Sequence, residues 1–262
     1  MPTKSFRVAL AQVLSDADIN AVIDSASGAG ADVIVFPEMF SNGYSKFDSQ
    51  DATARAAWLD GAVDVQGAFI EKFRAAARRT EVAVVATFLE KADPKPFNSA
   101  VLIDRSGEVV LHQRKRHICF FDVPEEACAP GDSSSVVCLD TRHGQVAVGI
   151  MVCMDREFPD VASDLVLQEV EIVLVPNSSP LVGDAEVGDI RVAGVRATAF
   201  QSVIGMAVAN YPEPKDDGHS FAVGASGQIL TMAGKQQEIV YADFDLDQLR
   251  AFQQKEWFRR VR

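Results

Sequence analysis

Cys153 stands where an apolar run stops. The run VAVGIMVC ends at this cysteine and MDREFP follows at once, which predicts a strand ending abruptly before a helix that starts near Pro159. A thiol on such an elbow lies near the N–H groups of the coming helix, which would lower its pKa and stabilise an oxyanion. The position suits a nucleophile, although most free cysteines are simply small buried hydrophobic residues.

Glu38 is a second candidate. The stretch ADVIVFPEMF leads an apolar strand into Pro37 and places a carboxylate directly after it. In open α/β proteins the carboxyl ends of strands are where ligands bind. Walls formed by Phe36, Met39 and Phe40 would raise the pKa of this carboxyl toward that of a working general base. The alternative is an exposed loop glutamate.

Lys115 lies within the basic stretch HQRKRH, next to two phenylalanines, in a chain that is acidic overall. It is either part of a solvated edge strand protected by basic residues or a buried lysine that is kept charged by carboxylates. Glu125 and Glu126 follow closely and could supply those carboxylates.

A cysteine nucleophile is often paired with a histidine that acts as its base. Four are present, and none has flanking residues that mark a Cys–His dyad: His112, His117, His143 and His219. The sequence therefore disfavours a papain-like arrangement.

The elements that must position these residues alternate between short β-branched runs and longer amphipathic stretches, which predicts an α/β protein with covered sheets. Strands are predicted over 6–13, 32–38, 82–90, 99–103, 109–113, 146–153, 171–176, 203–209, 220–225, 229–232 and 238–243. Helices are predicted over 16–28, 51–80, 158–169, 186–201 and 245–261. Two similar segments around Ser106-Gly107 and Ser226-Gly227 indicate paired hairpins and a duplicated layer.

Composition narrows the classes of function. The 262 residues show no linker, so we expect one domain over 1–262, and the net charge of −12 argues against nucleic-acid or anionic-membrane partners. No apolar run is long enough to span a membrane. The four cysteines lack metal-site spacing, so no metal is expected. With no signal-peptide pattern at the N-terminus, we expect a cytoplasmic protein.

Three motifs occur in order along the chain: IVFPEMFSNGY, RKRHICFF, and GIMVCMDREFPD followed by EIVLVPN. Together they resemble the carbon–nitrogen hydrolase (nitrilase/amidase) superfamily over nearly the whole chain. The resemblance implies that Glu38 is the general base, Lys115 the catalytic lysine and Cys153 the nucleophile. It also implies a second glutamate near Pro130-Gly131, for which we favour Glu125 over Glu126.

The resemblance further implies that Lys115 and the Met154 N–H hold the oxyanion. Residues that flank the three motifs are then candidate pocket residues, with ordinary loop packing as the alternative: Tyr44, Phe120, Phe121, Asn177 and Ser178.

The fold implied by the resemblance is a four-layer αββα sandwich whose members usually pair into dimers. The C-terminal segment, about 245–262, would lie at that dimer interface or act as a capping helix. No cofactor is implied, because cysteine, lysine and glutamate suffice.

The expected activity is hydrolysis of a small-molecule amide through a cysteine thioester, because CMDRE replaces the CWE of many nitrilases. The alternatives are an N-carbamoyl amino acid or nitrile hydrolase and an acyltransferase on the same scaffold. A non-catalytic binding module is a further alternative, but it would not need Glu38, Lys115 and Cys153 together.

Overall fold

The computed structural model describes residues 4–121 and 123–260. Within these residues the chain forms two six-stranded sheets and six α-helices. The strands are β1 (Ser5–Gln12), β2 (Val33–Val35), β3 (Ala83–Glu90), β4 (Phe97–Ile103), β5 (Val109–Arg114), β6 (Val136–Thr141), β7 (Gly144–Ile150), β8 (Ile172–Pro176), β9 (Gly205–Ala209), β10 (Phe221–Val223), β11 (Ile229–Met232) and β12 (Glu238–Asp245). The helices are α1 (Ile19–Gly28), α2 (Ala52–Asp60), α3 (Ala68–Thr80), α4 (Pro159–Leu167), α5 (Ile190–Ser202) and α6 (Leu246–Lys255).

The packing forms four layers. One apolar cluster joins the inner faces of the two sheets, a second joins one sheet to α1 and α3, and a third joins the other sheet to α4 and α5. Strands such as β3 and β8 are buried along their whole length, as the continuous apolar runs predict for strands covered on both faces. The predicted αββα sandwich is therefore confirmed.

The two sheets repeat one topology. Their strand orders are β12-β1-β2-β3-β4-β5 and β6-β7-β8-β9-β10-β11, and in each the three central strands run parallel while the outer pairs run antiparallel. The two predicted hairpins occupy matching places, β4–β5 and β10–β11. Gly107 and Gly227 have φ of +83° and +80° there, which glycine adopts without strain.

Two sequence predictions about elements are wrong. The single helix over 51–80 is two helices, because Gly61 ends α2 and the Asp64 side chain accepts a hydrogen bond from the Gln66 N–H in the turn before α3. The strand β6 was not predicted. It is an edge strand in which only Leu139 and Thr141 are buried, so the sequence contains no long continuous apolar run that would mark it.

The strand ends bring three candidate segments to one side of the sandwich. Glu38 follows β2, Cys153 follows β7, and Asn177 follows β8. The Glu38 N–H donates to the Asn177 carbonyl at 3.2 Å, which joins the loop of one sheet to the strand end of the other. In the part of the chain described, no helix combines the length and apolarity needed to cross a bilayer.

Candidate active site

Cys153 is the first residue of a 3₁₀ turn over Cys153–Glu157, and two connecting residues separate it from the end of strand β7. Its φ of +48° lies in the left-handed region, which a residue with a side chain rarely adopts. Such strain is held in place by the surrounding structure and is typical of functional positions. The side chain is almost buried, with 5% of the residue exposed.

Lys115 is fully buried and lies between two carboxylates. Its Nζ is 2.7 Å from Glu38 Oε1 and 2.5 Å from Glu125 Oε1, and both glutamates are also fully buried. Asn98 Nδ2 donates to the same two oxygens, at 2.7 and 3.0 Å. The structure therefore brings the predicted lysine and glutamates into one buried ionic cluster.

Glu38 is fixed through its backbone and keeps one carboxylate oxygen unpaired. Its N–H donates to the Asn177 carbonyl, and its own carbonyl accepts a hydrogen bond from the Tyr211 hydroxyl at 3.0 Å. Oε1 is taken by Lys115 and Asn98, whereas Oε2 is buried without a hydrogen-bond partner in the described structure. A buried acceptor without a partner is costly, which favours a proton or a donor at this oxygen.

The burial of these groups shifts their pKa values. Burial raises the pKa of Glu38 to about 7, although the Lys115 cation acts in the opposite direction. Burial also raises the pKa of Cys153 to about 12, with the Glu38 anion adding to the rise and Lys115 and Arg156 opposing it. Burial lowers the pKa of Lys115, but the Glu38, Cys153 and Glu125 anions outweigh it, so its pKa lies well above the ordinary value.

The second glutamate beside Lys115 is Glu125. Its Oε1 accepts from the Tyr44 hydroxyl at 2.9 Å and its Oε2 from the Cys119 N–H at 2.7 Å. Burial by itself would raise the pKa of Glu125. The Lys115 cation has the opposite effect and prevails, so the pKa of Glu125 lies below its ordinary value. Glu126, by contrast, is exposed.

A cleft of about 430 Å³ opens above the thiol. Aromatic, sulfur and charged side chains share its wall, and its lining residues are Tyr44, Lys46, Cys119, Phe121, Cys153, Met154, Arg156, Glu157, Ser178, Ser179, Pro180, Arg191, Lys215 and Asp216. A concave site with a few convergent polar groups is the usual form of a small-molecule site.

The predicted pocket residues divide into two groups. Tyr44, Met154 and Ser178 line the cleft. Ser178 also donates through its hydroxyl to Asp216 at 2.8 Å, and its carbonyl lies 3.9 Å from Cys153 Sγ. Phe121, a fourth predicted pocket residue, also lines the cleft.

Phe120 and Asn177 lie outside the lining. Phe120 is 75% exposed and packs edge-on against Phe121, which is 70% exposed but borders the cleft. The sequence FF cannot distinguish the two, because the loop conformation decides which ring borders the cleft. Asn177 is fully buried and donates to Asn210 Oδ1 at 2.9 Å, so it holds the strand ends together.

Asp155 connects the segment of Lys115 to the segment of Cys153. Its buried carboxylate accepts hydrogen bonds from the backbone N–H groups of Arg116, His117 and Val152, at 3.1, 2.8 and 3.2 Å. Two of these donors follow Lys115 and the third precedes Cys153. The contacts therefore set the lysine and the thiol relative to each other.

Three of the residues here were not predicted from the sequence: Asn98, Asp155 and Arg156. Asn98 is a buried polar residue within the apolar strand β4, and that break in the pattern is the signal that could have identified it. Asp155 and Arg156 lie in the motif after Cys153, but only the fold shows what they contact. Among the described residues, no group of three or more metal-ligating side chains is placed to hold a metal ion.

Comparison with known proteins gives a match between residues 12–254 and the sequence model described as "Carbon-nitrogen hydrolase". Among curated proteins, the chain is 28% identical to an (R)-stereoselective amidase of Pseudomonas sp. over 89% of this chain and 79% of that protein. It is 27% identical to an omega-amidase of Bos taurus over 89% of this chain and 84% of that protein.

Among solved structures, the chain is similar to a mutant of the amidase from Nesterenkonia sp. AN1, with a TM-score of 0.75 and 26% identity. The match covers 96% of this chain and 99% of that one. In that structure acrylamide has added to the active-site cysteine by Michael addition.

Proposed function

The chain belongs to the carbon–nitrogen hydrolase family and is an enzyme of the amidase type, and we propose that Cys153, Glu38 and Lys115 carry out its hydrolysis of a small-molecule amide. One observation carries the assignment of these residues. Glu38 has one oxygen on Lys115 and a second, buried oxygen without a partner, and its negative charge acts on Cys153, the thiol that lines the cleft.

Acylation begins with the thiol. Glu38 takes the Cys153 proton while sulfur attacks the amide carbon, and the tetrahedral oxyanion is held by Lys115 and the Met154 N–H. Glu38 then returns the proton to the departing nitrogen, which leaves as ammonia or an amine. A thioester remains on Cys153.

The pKa values explain why proton removal and attack occur together. The pKa of Cys153 is about 12 and that of Glu38 about 7. Because the Cys153 thiol is the weaker acid of the two, a free thiolate beside a protonated Glu38 is unfavourable. General-base removal of the proton during the attack avoids the full cost of that state.

Deacylation uses the same groups in reverse. Once ammonia or the amine leaves, water enters the cleft and Glu38 takes its proton as the oxygen attacks the thioester. The C–S bond then breaks, the carboxylic acid is released, and Glu38 returns the proton to the Cys153 sulfur. Lys115 remains protonated throughout, because Glu38 and Glu125 flank it. Glu125, in turn held by Tyr44 and the Cys119 N–H, orients the ammonium.

Substitution of the nucleophile tests the proposal directly. We expect Cys153→Ala to keep its fold but to release ammonia from a small amide such as butyramide at a rate lower by at least about 10³-fold. The matched control is Cys138→Ala, which removes an exposed thiol far from the cleft. Substantial turnover by a clean preparation of Cys153→Ala would refute the assignment.

The preferred substrate class can be determined by measuring ammonia release from a panel of aliphatic amides, dicarboxylic monoamides, N-carbamoyl amino acids and nitriles. We propose amides as the preferred class, with carbamoyl compounds and nitriles as the alternatives. Hydroxamate formation in the presence of hydroxylamine, compared with hydrolysis, identifies an acyltransferase.

We also propose a homodimer in which the segment 245–262 contributes to the interface, within a single domain over 1–262. Trp257 and Phe258 support this, since they are 62% and 56% exposed and large apolar side chains in water favour association. Sedimentation of the full chain and of Trp257→Ala tests it. The four free thiols suit the reducing cytoplasm, which is the compartment we propose.

A further inference from the structure

The Arg156 side chain contacts the sulfur of Cys153, which lies three residues earlier in the chain. Residues i and i+3 of a 3₁₀ turn lie one above the other, and Arg156 Nη1 is 3.7 Å from Cys153 Sγ. The Arg156 side chain is 1% exposed, so its charge acts on the thiol with little screening by water.

The guanidinium has few other partners. Nη2 contacts Ser179 Oγ at 3.3 Å and Glu157 Oε1 at 3.3 Å, and the Glu157 side chain is 45% exposed. Nε is buried and has no hydrogen-bond partner within the described chain. Arginine stays protonated even when buried, so this is a permanent cation beside the nucleophile.

Lys115 also favours the thiolate, and its charge lowers the pKa of Cys153 more than that of Arg156 does. Its ammonium is held by the Glu38 and Glu125 carboxylates at 2.7 and 2.5 Å. Arg156 is the cation that contacts the sulfur directly and also lines the cleft, so it adds to the effect of Lys115.

We propose that Arg156 is a further catalytic residue that stabilises the thiolate of Cys153. The inference rests on the proposed function. As the S–H bond breaks, the proton goes to Glu38 and the electron pair on sulfur lies against the guanidinium until the C–S bond forms. When the thioester is later cleaved, the pair returns to sulfur and Arg156 stabilises the leaving thiolate.

Alkylation by methyl vinyl ketone tests this without any amide turnover, because the probe is neutral, contains no amide bond and reacts with the thiolate. Rates of Cys153 modification are followed by peptide mass from pH 6 to 10 in the full chain. The variants are Arg156→Met and Arg156→Gln, which remove the charge, and Arg156→Lys, which keeps it. Arg105→Met is the matched control, since that arginine does not line the cleft and pairs with Asp140.

We expect the two neutral variants to react at least about tenfold more slowly at pH 7.5, with the pH dependence moved upward by about one unit or more. The Lys variant recovers a large part of the rate, and Arg105→Met keeps the parent profile. Circular dichroism confirms the fold, and if one neutral variant does not fold, the other and the Lys variant carry the comparison.

Equal alkylation rates and profiles in the parent and in a folded neutral variant would overturn the inference. That result together with a raised KM for amides would mean that Arg156 binds substrate instead. Normal alkylation of Cys153 in a parent enzyme that hydrolyses no amide would instead contradict the proposed function, so the two failures are distinguishable.

Discussion

The rate of amide hydrolysis is predicted to fall steeply below neutral pH, because the general base must be ionised. Burial raises the pKa of Glu38 to about 7. A group with that pKa is about nine-tenths ionised at pH 8 and about one-tenth at pH 6, so kcat/KM falls about tenfold between them. A glutamate with an ordinary pKa would stay almost fully ionised over this range, and the rate would not change.

The assay uses a neutral amide, so that the substrate itself does not titrate, and measures ammonia release in buffers of constant ionic strength. Circular dichroism at pH 6 verifies that the protein remains folded. In Glu125→Gln the neighbouring negative charge is absent, which lowers the pKa of Glu38, so the acidic limb moves to lower pH. A profile that stays flat down to pH 5 would refute the assignment of Glu38 as a buried base.

Three further predictions follow from single contacts. Glu125→Gln weakens the hold on Lys115 and is expected to lower kcat at least about tenfold, whereas the exposed Glu126→Gln changes it less than about twofold; equal effects would contradict the choice between them. Asp155→Asn replaces a carboxylate that accepts hydrogen bonds from three backbone N–H groups. We expect the free energy of unfolding, measured by urea titration, to fall by about 2 kcal/mol and kcat to fall as well. Wild-type values of both would show that Asp155 does not position the site. Phe121→Ala enlarges the cleft and raises KM for an amide with an apolar chain, while Phe120→Ala leaves KM within about twofold; the reverse order would show that the loop turns the other ring inward.

The sequence was sufficient to predict the fold and to propose the main site residues. Continuous apolar runs predicted buried strands, and the repeated Ser-Gly turns predicted the matching hairpins that the two sheets contain. Glu38, Lys115 and Cys153 each stand at the end of a strand or just beyond it. Their types and positions were therefore readable before any contact was known.

Contacts that depend on the folded loops could not be predicted. Asn98 reaches Glu38 and Glu125 only because β4 runs beside the lysine strand, 17 residues earlier in the chain than Lys115. Arg156 reaches the thiol because the chain forms a 3₁₀ turn rather than an α-helix after Cys153. Likewise, nothing in the sequence distinguishes Phe120 from Phe121.

The central claim is that an acyl group is carried on Cys153, and trapping that intermediate tests it most directly. Rapid acid quenching during turnover of butyramide, followed by intact mass and peptide mapping, is predicted to show a butyryl thioester on the Cys153 peptide and none on the Cys119 peptide. Steady turnover with no adduct on Cys153, or an acyl group carried on another residue, would contradict the account.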